Sequence, residues 1–334
     1  MKKVLLCLAM IMALCIVFTA CSGENADGGS KTAKPSGSKA SASATAASTP
    51  TAVPATPTPE PAPETRVAVT VKDLIYTSVV NVEYNGKVET WEKELSTDME
   101  LDLDDMELYV RVPNDGSEVE IKALLQENAP YKITGWSGDA ESDSETIKFV
   151  PTSDKMNLVI EVEPLFDENV AESSKVTCSV YTEENIVARW GADLLTDGDI
   201  NTRFSTTTIS DVDANTLELG EPVTIDIDMG EAKRFNTICL FPRTDTPDFD
   251  GGVPNYPFGF DIQVSADGTT FETVYTVNLE ENVNDMVQTY AVGDQNAQYI
   301  RLNVRVLGNM AADEGTAAVP YRIQFAELMA IQLG

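Results

Sequence analysis

The chain has 334 residues, with 23 Lys and Arg against 54 Asp and Glu, so its formal net charge at neutral pH is −31. This acidity argues against nucleic acid and against anionic membrane surfaces as partners, because like charges repel. Histidine is absent, which excludes Ser-His-Asp and Cys-His nucleophile systems, zinc or haem held by His, and imidazole acid–base chemistry.

Residues 1–20 have the pattern of a signal peptide. Lys2 and Lys3 precede an apolar run over residues 4–18, which is too short for a comfortable membrane span, and small residues follow it. The segment Phe-Thr-Ala-Cys resembles a bacterial lipobox, with Phe18 where the family prefers Leu. The resemblance implies a lipid on Cys21 and a position on the outer face of a bacterial cell membrane. The alternative is an ordinary secretory signal with a chance cysteine, which also places the protein outside the cytoplasm.

Residues 21–65 are rich in Ser, Thr and Ala and then in Thr and Pro. Such a composition cannot bury a core, so we expect a disordered or semi-extended segment. An extended chain gains ~3.1 Å per residue. The segment is therefore predicted to be a stalk that holds the folded part away from the membrane.

Residues 66–168 are predicted to form a small β-rich spacer domain. Apolar and polar residues alternate in four runs, as expected of half-buried strands: 66–71, 108–112, 119–123 and 158–162. The Gly-Trp-Ser-Gly-Asp segment at 135–139 and the run at 155–162 resemble divergent internalin B-repeat-like modules of bacterial surface proteins. For Trp136 the resemblance implies a core tryptophan that locks a turn, and a ligand role is the less favoured alternative.

Residues 172–334 carry longer and more numerous strand patterns. The runs lie at 223–230, 235–241, 260–265, 299–306 and 325–331, with turn residues between them. Around eight strands separated by turns indicate a β-sandwich or jelly roll. The fold class predicted for the whole folded part is therefore all-β.

Six short segments of this second part resemble the discoidin family, also called coagulation factor V/VIII C-type, and especially its family 32 carbohydrate-binding modules. They occur in the family's order, at 195–204, 225–230, 240–243, 260–271, 299–302 and 325–328. Phe204 stands where the family usually has Trp. The resemblance implies a sandwich whose loops at one end bind sugars without catalysis.

A calcium site is expected in the loop at 197–202. Asp197, Asp199 and Thr202 offer oxygen ligands beside a glycine, and calcium takes 6–8 oxygens in proteins. Read alone, Asp-Gly-Asp is a plain turn. The resemblance implies a structural calcium here, with Glu327 contributing from the last strand.

Sugar recognition needs a flat apolar surface and a few fixed polar groups. Arg243 occupies the Pro-Arg position, where the resemblance implies a hydroxyl-binding arginine. Asp248 or Asn255 could supply the acidic or amide partner, and Trp190 and Tyr321 are the candidate platforms. The alternatives are that Arg243 pairs with an acidic neighbour and that Trp190 is a core residue. The missing histidine puts galactose-type specificity in doubt.

The predicted function is non-catalytic binding of extracellular carbohydrate by a lipid-anchored surface protein. No phosphate loop or nucleophile elbow is present in the sequence. Two alternative functions remain: an adhesin for a protein partner, and an envelope component without a ligand.

Cys178 and Cys239 are either two buried thiols or one disulfide.

Overall fold

The structure is a computed structural model that describes residues 63–89, 91, 108–184, 189–243, 255–280, 283, 286–308 and 321–334. The predicted signal peptide, Cys21 and nearly all of the predicted stalk lie outside the described residues, as does Asp248.

The first part of the described chain contains two four-stranded sheets. One is made of β1 (Glu64–Val71), β4 (Leu108–Pro113), β6 (Tyr131–Gly138) and β8 (Lys155–Pro164), in the order β4-β1-β8-β6. The other is made of β2 (Val80–Tyr84), β3 (Lys87–Glu89), β5 (Val119–Leu125) and β7 (Thr146–Phe149), in the order β3-β2-β5-β7. Strands β1 and β8 run parallel. The alternating residues predicted to face inward, such as Val67 and Ile121, are fully buried.

Trp136 is a core residue, as predicted. Its side chain is buried, and its Nε1 donates to the Glu145 carbonyl over 3.0 Å. The preceding Gly135 has φ +156°, and a Cβ added there would lie 2.2 Å from the Ser142 carbonyl oxygen. The Gly-Trp pair therefore lets two backbone segments approach closely beside a buried indole.

The second part contains a six-stranded sheet and a two-stranded one. The larger sheet follows the order β13-β12-β14-β11-β16, with β9 beside β11, and β10 pairs with β15. The strands are β9 (Lys175–Cys178), β10 (Phe204–Ser205), β11 (Glu218–Phe241), β12 (Gly259–Ser265), β13 (Glu272–Asn278), β14 (Gln288–Val306), β15 (Gln324–Phe325) and β16 (Glu327–Ile331). The all-β, sandwich-like architecture predicted from the sequence is confirmed.

Strand β11 corrects one detail of the prediction. The runs at 223–230 and 235–241 were expected to be separate strands, but they form one long strand with a register shift between Asp228 and Lys233. At the shift, Gly230 has φ +77° and its N–H donates to Asp228 Oδ1 over 2.9 Å. The chain thus bends there without leaving the sheet.

Within the described residues, no helix is long and apolar enough to cross a membrane.

The hydrophobic core of the first part includes residues of the second part, which also has a core of its own. Cys239, Phe241, Val287 and Met329 of the second part cluster with the buried residues of the first part, and the described chain from residue 63 onward lies in one compact unit. Cys178 and Cys239 are free thiols. Burial raises the pKa of Cys239 to about 12, so this thiol stays protonated near neutral pH.

Candidate functional site

The candidate site is organised by a short stretch of extended chain at residues 203–207. On one side, Phe204 pairs with Phe325 and Ser205 with Gln324. On the other side, Trp190 lies opposite Arg203. Trp190, the predicted platform for a sugar ring, therefore lies beside the same extended stretch that pairs with Gln324 and Phe325.

A buried polar network centred on Gln324 joins two of the predicted sugar ligands. Gln324 Oε1 accepts from Arg243 Nη1 and from Asn255 Nδ2, the latter over 2.7 Å, and Gln324 Nε2 donates to Ser205 Oγ over 3.1 Å. Arg243 is 2% exposed and Asn255 is 3% exposed. The network fixes both side chains beneath the surface, which gives Arg243 a positioning role in addition to any contact with a ligand.

Trp190 lies between this network and solvent. The Arg243 Cζ is 5.3 Å and the Arg203 Cζ is 5.7 Å from the centre of its ring, within the range of cation–π contacts. Burial, and then the charges of Arg243 and Arg189, lower the pKa of Arg203 to about 9. Three arginines, together with the carboxylates of Glu184 and Asp193, thus surround Trp190 with charges of both signs.

A pocket of about 350 Å³ opens beside Trp190. Its apolar lining comes from Trp190, Ala192 and Leu194, and its polar lining includes Glu184 and Arg189. Glu184 Oε1 accepts from Thr182 Oγ1 over 3.0 Å and from the Ala192 N–H over 3.3 Å, which fixes this carboxylate in place. An apolar wall with a few fixed polar groups is the arrangement that a small polar ligand needs.

Among the described sugar-site residues that the sequence predicts, Trp190 lines this pocket, whereas Arg243 and Asn255 lie in the buried network beside it. Tyr321 is half-buried against the core of the second part, and its carbonyl accepts from the Ile209 N–H over 2.8 Å. Asp248 lies outside the described residues. The sequence alone does not single out four further residues of the site: Glu184, Arg189, Arg203 and Gln324. For Gln324, the available sequence signal is that it directly precedes the last strand motif, at 325–328.

The loop at 197–202 folds as a tight turn held by its own polar groups. Thr202 Oγ1 lies 2.9 Å from Asp197 Oδ1 and 2.8 Å from the Asp199 carbonyl oxygen, and its single O–H donates to one of these acceptors at a time. Gly198 has φ +82°, which suits glycine, and its N–H donates to Glu327 Oε2 over 3.0 Å. The four residues predicted to hold calcium are therefore gathered between this turn and β16.

Glu327 provides the test of whether a cation fits there. Its side chain is fully buried, and Oε1 has no hydrogen-bond partner among the residues that the structure describes. Burial, and then the nearby Asp197 carboxylate, raise the pKa of Glu327 well above its ordinary value. An unpartnered buried carboxylate oxygen facing other carboxylates is the donor chemistry that Ca²⁺ satisfies.

The acidic side chains alone do not complete a metal centre. In the part of the chain that the structure describes, no three Cys, Asp or Glu side chains stand close enough together to hold a metal ion. Calcium would therefore draw on backbone carbonyls of the turn, as Ca²⁺ sites in proteins commonly do. With that addition, the residues present fit the ion.

The comparisons with known proteins identify the second part. The family model of the F5/8 type C domain matches residues 175–312. The chain therefore carries an F5/8 type C, or discoidin, domain, as the sequence resemblance predicted. The resemblance of the first part to internalin B-repeat-like modules stays a prediction, and no curated protein matches the chain.

Solved structures similar to the chain include a chitosan-binding module from a chitosanase/glucanase of Paenibacillus sp. IK-5. It is 23% identical with a TM-score of 0.35, covering 49% of this chain and 98% of the module. A module called CBM32-3, from a family 31 glycoside hydrolase of Clostridium perfringens, is 20% identical with a TM-score of 0.38, covering 50% and 95%. A C. perfringens module in complex with GalNAc-β-1,3-galactose is 21% identical with a TM-score of 0.33, covering 48% and 95%.

Proposed function

We propose that the protein binds extracellular carbohydrate at the pocket beside Trp190 and does so without catalysis. The observation that carries the proposal is the half-buried indole next to a fixed polar network, on a domain of the F5/8 type C family. The indole offers a flat surface for the C–H groups of a sugar ring, while Glu184 and Arg189 are polar groups within reach of hydroxyls.

A glycan array probed with the chain from residue 22 onward tests this proposal. We expect saturable binding to a subset of glycans that share a terminal or internal sugar. Arg243→Ala should abolish it, since the change removes a member of the network under Trp190. Arg234→Ala is the matched control, because Arg234 is exposed on β11. No binding across a broad array would overturn the proposal, and capture of a protein ligand instead would favour the adhesin.

We propose in addition that a calcium ion, held by Asp197, Asp199, Thr202, Glu327 and carbonyls of the turn, supports the site. The ion would supply positive charge to the buried carboxylates and no chemistry on the ligand. Thr202 also lines the pocket beside Trp190. The turn that would hold the ion is thus part of the pocket wall.

Attachment to the outer face of the membrane through a lipid on Cys21 is the third part of the proposal. It is supported by the sequence of residues 1–21 alone. Growth with labelled palmitate tests it: label should appear on the wild-type chain and not on Cys21→Ser. Label on both chains, or on neither, would contradict lipidation at Cys21. Many anchored copies would compensate for weak binding at each pocket.

A further inference from the structure

Tyr181 is the most exposed of the large hydrophobic side chains in the described chain. It is 86% exposed, whereas the others recorded as exposed lie between 39% and 51%. Its backbone is nevertheless fixed, because its carbonyl accepts from the Thr207 N–H over 2.8 Å and from Thr207 Oγ1 over 3.2 Å. The ring itself makes no hydrogen bond or ring contact with described residues. Tyr181 is thus an aromatic group presented to solvent from a well-held position.

The strand register places Tyr181 on the same face as Trp190. Thr182 lies opposite Thr206 in an antiparallel bridge, so Tyr181 lies opposite Thr207, and Trp190 lies opposite Arg203. Positions 203 and 207 are four residues apart and side chains alternate along extended chain, so they share a face. At ~3.3 Å per residue, the two aromatic residues are about 13 Å apart along this face.

The groups between the two aromatic residues are polar and partly accessible. Glu183 is held by its N–H, which donates to the Ser205 carbonyl over 2.9 Å. Its carboxylate pairs with Arg322 over 3.2 Å, and the two side chains are 36% and 23% exposed. A partly exposed ion pair, held at the level of Ser205, therefore lies between the positions of Trp190 and Tyr181 along the extended stretch.

We infer that Tyr181 is a second aromatic platform, so that the site takes an extended oligosaccharide of several linked rings rather than a single sugar. The inference rests on the proposed function. The separation of the platforms exceeds one pyranose ring, so a short ligand at Trp190 leaves Tyr181 empty. A longer one gains a second stacked ring at Tyr181 and polar contacts at Glu183 and Arg322.

Calorimetric titration of the chain from residue 22 onward tests the inference. The probes are the cello-, chito- and galacto-oligosaccharide series, each from the monosaccharide to the hexasaccharide. For a series that binds, affinity should rise once the ligand is long enough to reach both platforms. Tyr181→Ala should then lower the affinity for the long members ~10-fold and leave the short members unchanged.

Three variants complete the design. Tyr181→Phe keeps the ring and should bind as the wild type does. Tyr275→Ala removes another exposed tyrosine, 39% exposed on β13, and should change nothing. Trp190→Ala should weaken binding at every length.

The outcomes separate this inference from the proposed function. If Tyr181→Ala binds every length as the wild type does while Trp190→Ala loses binding, the second platform is overturned and sugar binding at Trp190 stands. An equal loss at all lengths also overturns it, because a distal platform cannot act on a monosaccharide. If none of the three series binds, this inference fails, whereas the proposed function depends on the wider array.

Discussion

The Tyr131 hydroxyl lies 3.7 Å from the sulfur of Met329, across the boundary between the first and second parts of the described chain. The Tyr131 ring also packs edge-on against Tyr76 and Phe166, with ring centres 5.5 Å and 5.6 Å away. Beside it, the Val287 N–H donates to the Ser78 carbonyl over 3.0 Å. Through these contacts, the segment that the sequence predicts to be a spacer covers one face of the sandwich.

The first prediction concerns the thiol under this layer. Cys239 is fully buried in the shared core. In a chain that begins at residue 167, the layer is missing, and the thiol should react with a disulfide reagent at least ~100-fold faster, because thiol reactivity follows exposure and pKa. The measurement is the rate of thiol modification in two chains that carry Cys178→Ser, one beginning at residue 22 and one at residue 167, so that Cys239 is the thiol that reacts. Equal rates in these two chains would contradict the shared core.

The sequence predicts the strands better than it predicts how the two parts pack. Alternation at 119–123 and 158–162 identifies strands because each half-buried strand repeats its burial every two residues. The end of the run at 235–241 is apolar on both faces over residues 238–241, which indicates a strand covered on two sides. The pattern cannot say which segment covers the second face, and here it is the part that contains Tyr131.

The same limit applies to the candidate site. Motif positions indicated Arg243, Asn255 and Trp190, and the structure brings these three together. Gln324, the acceptor that joins Arg243 and Asn255, is 81 residues from Arg243 in sequence. A single buried glutamine with a distant partner leaves no periodic pattern, so only the fold shows it.

The second prediction concerns the Gly-Trp motif. Gly135→Ala should lower the free energy of unfolding by more than ~2 kcal/mol, because the new Cβ would meet the Ser142 carbonyl at 2.2 Å. Gly86→Ala is the matched control: Gly86 has φ +74°, but no atom of the described part of the chain lies within 4 Å of an added Cβ. That change should cost only the backbone penalty of about 1–2 kcal/mol. Urea denaturation measures both, and equal losses would show that the close approach at Gly135 is unimportant.

The third prediction concerns calcium removal. With calcium at 100-fold its dissociation constant, the wild-type chain should gain about 2.7 kcal/mol of stability over the chain in EDTA. Glu327→Gln should lose this gain, because the substitution removes the buried negative charge that the ion compensates. Thermal denaturation with and without calcium measures the effect. A wild-type melting temperature that does not respond to calcium would contradict the proposed ion.

The fourth prediction separates a structural arginine from those at the site. Arg301 donates to both carboxylate oxygens of Asp226, over 2.6 Å and 2.8 Å, and lies 3.6 Å from the centre of the Phe271 ring. This geometry gives Arg301 a structural role within the sheet. Arg301→Lys should cost about 1 kcal/mol of stability, because lysine cannot make the bidentate pair. Glycan affinity should stay unchanged, and a selective loss of binding with unaltered stability would contradict the assignment.

The most direct test of carbohydrate binding is a titration of Trp190→Ala with the glycan that the wild-type chain binds most strongly on the array. Circular dichroism and thermal denaturation would establish that the variant is folded. We expect a loss of at least ~10-fold in affinity, because the substitution removes the flat surface on which the sugar ring stacks. Unchanged affinity in the folded variant would show that the sugar binds elsewhere and would contradict the pocket beside Trp190 as the site.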